Sequence, residues 1–205
     1  MLMNKKLLVV MGFGGHARSV ADVALSAGYE QLVFVDDNAY ADERFLNFPV
    51  VNSYPESVTR CCLAAGDNSR RRQQMEWATS NGLEVLSVVS PHAQQSVGIQ
   101  IGKGCFVGHF ASIGPLGLIA DGCIINTGAI IEHDCVVGEF SHISVNATVA
   151  GKVSIGKHVF VGAGAVIIDG VRIHDDVIIG AGSTVISDIN EPGIYVGSPA
   201  RKLLR

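Results

Sequence analysis

A cluster of polar residues near the middle of the chain has the side chains best suited to catalysis. Asn126, Glu132, His133, Asp134 and His142 stand close together where neighbouring positions are mostly small or aliphatic. A histidine between carboxylates can act as a general base, because the carboxylate fixes its tautomer and stabilises the imidazolium that forms on proton uptake. A single such histidine could equally be a solvated surface residue. The concentration in one segment favours a catalytic base at His133, oriented by Asp134 or Glu132.

A glycine turn near the N-terminus is a second candidate site. Gly12, Gly14 and Ala17 lie between an apolar run and a segment with helical spacing. Glycines there let the backbone approach phosphates, and the helix N-terminus offers free N–H groups. Asp36 follows Gly12 by 24 residues, at the predicted end of a second strand, where it can accept from a ribose hydroxyl or a base. The spacing imitates an NAD fingerprint, but about 90 residues make only one mononucleotide-binding half. The pattern therefore favours a nucleotide-linked ligand over NAD or a purely structural turn.

A six-residue repeat supplies the framework for the polar cluster. Fifteen consecutive positions spaced by six are all Ile or Val, and a second column two residues earlier is small or aliphatic. The fifteen are Ile101, Val107, Ile113, Ile119, Ile125, Ile131, Val137, Ile143, Val149, Ile155, Val161, Ile167, Ile173, Ile179 and Val185. Cys105, Cys123 and Cys135 fall in the second column, which predicts that they are packing residues. Glycine often follows the branched residue, and we expect it to serve corners that need a positive φ.

The period of six predicts a triangular solenoid. It fits neither the 3.6-residue period of a helix nor the two-residue period of a strand. Three six-residue units close one turn, so residues 18 apart stack, and fifteen units give five turns. Metal ligands on neighbouring turns should then differ by 18, whereas the spacings from His109 through His133, His142 and His158 to His174 are 24, 9, 16 and 16. Five cysteines without a CxxC pair support neither a disulfide framework nor a metal site. We expect no metal.

The first part of the chain predicts a different architecture. Residues 1–92 alternate strand-like and helix-like segments, which is typical of a small parallel α/β domain. The last of its strands is expected over Leu83–Val89, followed by a linker at 90–92. Residues 93–186 form the predicted β-solenoid, and 187–205 form a C-terminal tail.

Composition excludes several functions. The formal net charge is −4, so no basic field is present to bind nucleic acid or an anionic membrane. No apolar run reaches the ~18–20 residues of a membrane span. The N-terminal apolar run is too short for a signal sequence. A cytoplasmic protein is the expectation.

Six short motifs carry a resemblance to a known family. They are Gly-Phe-Gly-Gly-His-Ala at 12–17, Val-Asp-Asp at 35–37, Ala-Gly-Asp-Asn at 65–68, Ile-Glu-His-Asp-Cys at 131–135, Gly-Glu-Phe-Ser-His at 138–142 and Val-Gly-Ser-Pro-Ala-Arg at 196–201. The chain resembles bacterial sugar-nucleotide N-acetyltransferases of the hexapeptide-repeat, left-handed β-helix family. The resemblance implies acetyl transfer from acetyl-CoA to a nucleotide-linked amino-deoxysugar, such as a 4-amino-4,6-dideoxyhexose, in surface glycan, O-antigen or lipopolysaccharide biosynthesis. It also implies a left-handed helix and a homotrimer with active sites between subunits.

The resemblance assigns roles to individual residues. His133 matches the general base and Asp134 the acidic neighbour that raises its basicity, with Glu132 a second candidate and Asn126 nearby. The residues that match nucleotide-sugar contacts are Gly14, Gly15, His16, Asp36, Asp37 and Gly66. Those that match acetyl-CoA contacts are His142, Ala163 and Ala181. The last two differ by 18 and should stack as a smooth track for the pantetheine arm.

Two other functions remain open at this point. A sugar O-acetyltransferase of the sialic-acid pathway would use the same base on a hydroxyl. A non-catalytic nucleotide-sugar-binding protein would keep the glycine turn but have no use for the His133 cluster. The base of the nucleotide (UDP, dTDP or GDP) is not fixed. Apolar residues outside both inward columns predict a subunit interface. They are Ile124, Ile130, Val136, Phe160, Ile168 and Ile178.

Overall fold

The computed structural model describes residues 7–204, which begin with a small α/β domain. Its strands β1 to β6 span Leu7–Met11, Gln31–Val35, Arg44–Phe45, Phe48–Val51, Arg60–Leu63 and Glu84–Val85, and its helices α1 and α2 span Gly15–Ser26 and Asn68–Ser80. The sheet order is β3-β4-β2-β1-β5-β6, parallel throughout except for the β3–β4 pair. Leu8, Val9 and Val10 in central β1 are fully buried, as expected for a parallel strand covered on both faces.

The two helices begin in different ways. Asp67 caps α2, because its side chain accepts a hydrogen bond from the backbone N–H of Arg70. Gly14 occupies the N-cap position of α1 and has no side chain to make such a bond. The first N–H groups of α1 therefore lack a side-chain cap at the end of the glycine turn.

The rest of the chain is a triangular β-helix with strands on three sides. The first side contains β7 Val88–Val89, β10 Phe106–Val107, β13 Ile124–Ile125, β16 His142–Ile143, β19 Phe160–Val161, β22 Val177–Ile179, β24 Gly193–Val196 and β25 Arg201–Lys202. The second side contains β8 Gln94–Gln95, β11 Ser112–Ile113, β14 Ile130–Ile131, β17 Thr148–Val149, β20 Val166–Ile167 and β23 Thr184–Val185. The third side contains β9 Gln100–Ile101, β12 Leu118–Ile119, β15 Val136–Val137, β18 Ser154–Ile155 and β21 Arg172–Ile173.

Stacking follows the predicted interval of 18 residues. Phe106 pairs with Ile124, and Ile124 with His142, in parallel register. The third side has five strands, one for each complete turn, and only the terminal β24–β25 pair is antiparallel. The prediction of an α/β domain followed by a left-handed β-helix is confirmed. Below, the first corner joins the first and second sides, the second corner joins the second and third, and the third corner leads back to the first.

The interior contains the repeating Ile and Val column. All fifteen positions are buried except Ile101, which is partly buried. The small column has a further role: the Cys105, Cys123 and Cys135 thiols each lie 3.1 Å from a carbonyl oxygen fifteen residues ahead. Ser141 makes the equivalent bond at 2.8 Å. These cysteines are buried packing residues, as predicted.

The reason expected for the recurrent glycines is wrong. Those that follow the branched residue are not in the left-handed region, and several corners that do need a positive φ are occupied by other residues, Asp134 among them. A Cβ on Gly108 would lie 2.7 Å from the backbone nitrogen of Thr127, and one on Gly162 would lie 2.5 Å from that of Ala181. Glycine is required here because successive turns approach too closely for a side chain.

The α/β domain packs on the first side of the β-helix. Phe106 and Ile124 belong to the same buried cluster as the apolar face of α1. Ile124 is therefore fully buried and Phe160 half-buried, so the expectation that both lie on a free outer surface is wrong. The four other apolar residues of that group, Ile130, Val136, Ile168 and Ile178, are 37–43% exposed.

Arg71 of α2 fastens the two parts together. Its guanidinium is buried and donates to the carbonyl oxygens of Gly122 at 2.6 Å and Phe140 at 2.8 Å, both at the third corner. It also donates to the carbonyls of Ala65 and Gly66 in the α/β domain. Every listed bond satisfies a buried or half-buried group, so one side chain couples the two units.

The junction differs from the expected strand and linker. The segment 83–89 contains two short strands: β6 joins the α/β sheet, and β7 is already the first strand of the β-helix. Ser90 continues this pairing, because its N–H donates to the carbonyl of Val107. Within residues 7–204, neither helix has the length and apolar character required to span a bilayer.

Candidate active site

A cavity of about 770 Å³ opens at the carboxyl ends of β1, β2 and β5. The predicted nucleotide-sugar residues all line it, and they come from three separate segments of the chain. They are Gly14, Gly15, His16, Asp36, Asp37 and Gly66. Ligands of open parallel sheets bind at this kind of edge. The structure therefore brings this predicted group together in one cavity.

The glycine turn leaves space where a ligand would approach the backbone. Nothing lies within 4 Å of a Cβ placed on Gly14 or on Gly15. Gly12 has φ +104, which favours glycine, and its N–H donates to the Val35 carbonyl at 2.7 Å. The turn is fixed to the end of β2, and its outer face is free of side chains.

Asp36 has a structural contact that the sequence did not reveal. Its Oδ2 accepts from the backbone N–H of Phe13 at 2.9 Å, and its Oδ1 accepts from that of Asn38 at 3.0 Å. The carboxylate therefore connects the end of β2 to the glycine turn. Its binding to a ribose or a base stays a prediction, as does that of Asp37.

Residues of α2 line the opposite wall, and the sequence interpretation missed them. Arg70, Gln73, Gln74 and Trp77 face the cavity. Gln74 donates to the Met11 carbonyl at 2.7 Å and accepts from the N–H of Ala65 at 3.1 Å, which holds the ends of β1 and β5 together. Their three- and four-residue spacing on a helix next to the glycine turn was the available signal.

Aromatic side chains extend the lining. Tyr54 and Trp77 have ring centroids 5.6 Å apart. Phe13 packs edge-on against Phe34 at 5.1 Å, with the Arg18 guanidinium 5.7 Å from its ring centroid. The bulky second residue of the turn is therefore accommodated by the domain core.

His16 and His142 meet at the junction of the two units, with ring centroids 6.1 Å apart. Burial lowers the pKa of His16 to about 3, with further contributions from His142 and Arg71. Burial, followed by the charge of Arg71, lowers the pKa of His142 to about 4. Both rings are neutral near pH 7. The Nε2 of His16 is buried and has no hydrogen-bond partner within the described chain.

Asn126 and Gly66 hold His142. The Asn126 amide nitrogen lies 3.1 Å from Nε2, and the Gly66 carbonyl lies 3.3 Å from Nδ1. A neutral ring that accepts from Asn126 and donates to Gly66 satisfies both contacts. His142 thus connects the β-helix to the cavity wall. Its contact with acetyl-CoA stays a prediction.

His133 lies at the second corner, away from the cavity. Its side chain is 50% exposed, and its Nδ1 lies 2.8 Å from Oδ2 of Asp134. Asp134 has φ +58, a conformation that Asp tolerates better than most residues, and this places its carboxylate beside the ring. The structure pairs His133 with Asp134 and not with Glu132. Because Nδ1 is the bonded nitrogen, Nε2 is the one available to take a proton.

Ala163 and Ala181 lie at the first corner. Both are exposed, and the N–H of Gly182 donates to the Ala163 carbonyl at 2.9 Å, so the two alanines belong to stacked turns. One chain therefore holds its predicted site residues in separate places: the cavity, the first corner and the second corner. Among residues 7–204, no group of three or more His, Cys, Asp or Glu side chains is arranged to hold a metal ion.

Family models match both parts of the chain. The model described as the PglD N-terminal domain matches residues 7–78. The model described as bacterial transferase hexapeptide (six repeats) matches residues 152–187.

Solved structures are similar over nearly the whole chain. The acetyltransferase domain of PglB from Neisseria gonorrhoeae FA1090 is 32% identical, with a TM-score of 0.90, covering 97% of this chain and 100% of that one. The same domain has been solved in complex with acetyl coenzyme A. PerB from Caulobacter crescentus, in complex with CoA and GDP-perosamine, is 33% identical, with a TM-score of 0.89, covering 96% of each chain.

Proposed function

This chain belongs to the hexapeptide-repeat sugar N-acetyltransferases, and on that premise we propose that His133 is the general base of its reaction. The enzyme transfers the acetyl group of acetyl-CoA to the amino group of a nucleotide-linked amino sugar. One observation carries the assignment of the base: the 2.8 Å bond between Nδ1 of His133 and Asp134 on a half-exposed corner. That bond leaves Nε2 unprotonated and accessible.

The transfer needs one proton acceptor. The neutral sugar amine attacks the thioester carbonyl carbon, and the nitrogen becomes positively charged as the tetrahedral intermediate forms. Nε2 of His133 takes a proton from that nitrogen, the C–S bond breaks, and the CoA thiolate leaves with the bonding electron pair. Asp134 stabilises the resulting imidazolium. The buried cysteines offer no accessible thiolate for a covalent acyl-enzyme.

The α/β cavity is the proposed nucleotide-sugar site. Its uncapped helix N-terminus and the bare backbone at Gly14 and Gly15 suit a diphosphate. Asp36, Asp37 and the aromatic wall would then contact the nucleoside. A 4-amino-4,6-dideoxyhexose linked to a nucleoside diphosphate is the proposed substrate class. We place its use in surface glycan synthesis in the cytoplasm, where acetyl-CoA is available.

Separation of His133 from the cavity supports a site shared between subunits. The α/β domain covers the first side, whereas His133 lies at the second corner. Three prisms around a threefold axis would place the second corner of one subunit near the cavity and first corner of the next. Ile130, Val136, Ile168 and Ile178 remain exposed for such contacts. Light scattering should give a mass near three times 21.6 kDa, and a fully active monomer would contradict the shared site.

The activity test compares matched acceptors. Purified protein is incubated with acetyl-CoA and with GDP-, UDP- or dTDP-linked 4-amino-4,6-dideoxyhexoses, and the products are analysed by mass spectrometry. The matched control is the same nucleotide sugar with a 4-hydroxyl. Acetylation of the amine alone supports the proposal. Preferred acetylation of the hydroxyl indicates an O-acetyltransferase, and tight binding without turnover indicates a nucleotide-sugar-binding protein.

A further inference from the structure

The ring of His133 lies against a glycine of the next turn. A Cβ placed on Gly151 would lie 2.6 Å from Nε2 of His133, 2.8 Å from Cε1 and 3.3 Å from Cδ2. Real Cβ atoms do not approach other heavy atoms this closely. The nearest of the three is the nitrogen that would accept the proton.

Backbone conformation does not explain this glycine. Gly151 is outside the left-handed region, so other residues could adopt its φ. The equivalent positions of the neighbouring turns, 18 residues apart, are Pro115, His133 and Asp169. The second corner therefore accepts side chains on other turns. Space for the His133 ring is the feature specific to position 151.

The backbone of His133 has no room to retreat from a side chain at 151. Its carbonyl accepts from the N–H of Lys152 at 2.9 Å, and the next residue, Asp134, donates to the Pro115 carbonyl at 2.9 Å. Hydrogen bonds to both neighbouring turns thus fix the corner. Only the ring can move, and its rotation would break the 2.8 Å bond to Asp134.

We propose that Gly151 is a positioning residue for acetyl transfer: it keeps the ring of His133 against Asp134 and leaves Nε2 open to the substrate amine. The inference rests on the proposed role of His133 as the base. It concerns the geometry of the base and predicts no contact between Gly151 and either substrate.

The test is a double-mutant cycle with steady-state kinetics. Gly151→Ala should lower kcat by about 10²-fold, the effect of roughly 1 Å of misplacement, with KM for both substrates within about twofold. In the His133→Ala background, adding Gly151→Ala should leave the residual kcat unchanged within about twofold. The matched control is Gly170→Ala, which adds a methyl group to the same corner one turn further, where nothing lies within 4 Å. Its positive φ should lower the melting temperature but leave kcat within about twofold.

Each other outcome is informative. Wild-type kcat in Gly151→Ala, an equal loss in Gly170→Ala, a loss that persists in the His133→Ala background, or a change confined to the KM for acetyl-CoA would overturn the inference. If Gly151→Ala does not fold, the double variant lacks the ring and should fold; failure of both would show that the backbone needs the glycine. Full activity of His133→Ala alone would instead refute the proposed base.

Discussion

The cavity of the α/β domain and the second corner of the β-helix place functional groups by different means. The cavity gathers residues from loops and a helix far apart in sequence, such as Gly14, Asp36 and Trp77. At the corner, His133 is surrounded by its sequence neighbour Asp134 and by residues 18 positions away. The cavity depends on how elements pack together, whereas the corner depends on one repeating register. The two should therefore respond differently to substitution.

The largest expected effect comes from removing the base at the corner. His133→Ala should lower kcat/KM by about 10²–10⁴-fold, the usual contribution of a positioned general base. The fold should remain intact because the side chain is half exposed. Steady-state kinetics with both substrates measures the loss. His174→Ala removes an exposed histidine elsewhere on the β-helix and should keep wild-type turnover; a similar loss there would remove the distinction.

A substitution in the cavity should affect binding of one substrate. Gly14→Val fills space that is empty of protein atoms, so it should leave the fold intact and block the approach of phosphates. The KM for the nucleotide sugar should rise by about tenfold or more, equivalent to about 1.4 kcal/mol. The KM for acetyl-CoA in the same variant is the internal control. An increase confined to acetyl-CoA would mean that the α/β cavity binds the other substrate.

The junction between the two regions should respond most weakly, through pH. His16 and His142 have folded-state pKa values of about 3 and about 4, below the value near 6.5 of an unfolded histidine. The unfolded chain therefore binds more protons between these values. The stability that the neutral rings contribute is complete above about pH 6.5 and is lost as the pH falls toward 4 and then 3.

Chemical denaturation from pH 7 to 4 measures this dependence. Each ring can contribute a slope of up to roughly 1.4 kcal/mol per pH unit. His142→Gln keeps a polar side chain of similar size and should flatten the profile, whereas the exposed His174→Ala should leave it unchanged. A profile for His142→Gln with the wild-type slope would contradict the role given to this ring.

The sequence predicted the interior of the β-helix well. A side chain that recurs every six residues must face the axis in every turn, so the Ile and Val column was identifiable without coordinates. The same period could not show which side of the prism the α/β domain covers. Ile124 and Phe160 therefore looked like surface residues, although one is buried beneath α1 and the other half-buried beside His142.

The candidate site was predictable where a motif is local. The glycine turn, Asp36, Asp37 and Gly66 were found because each follows a strand end. The wall formed by α2 was not, because it depends on how that helix packs against the sheet. The choice between Asp134 and Glu132 depends on a single left-handed residue at the corner, and Gly151 depends on a contact across turns.

The 18-residue register makes the β-helix a ruler. Each complete turn raises the chain by about 4.8 Å. An insertion of one residue between Pro115 and Gly151 would turn the inward column outward for the rest of that rung, whereas insertion of a whole turn would preserve every internal pairing. Lineages of such proteins can therefore change the height of the base above its nucleotide domain only in whole steps. The Arg71 bonds to Gly122 and Phe140 span two adjacent steps and fix where that scale begins.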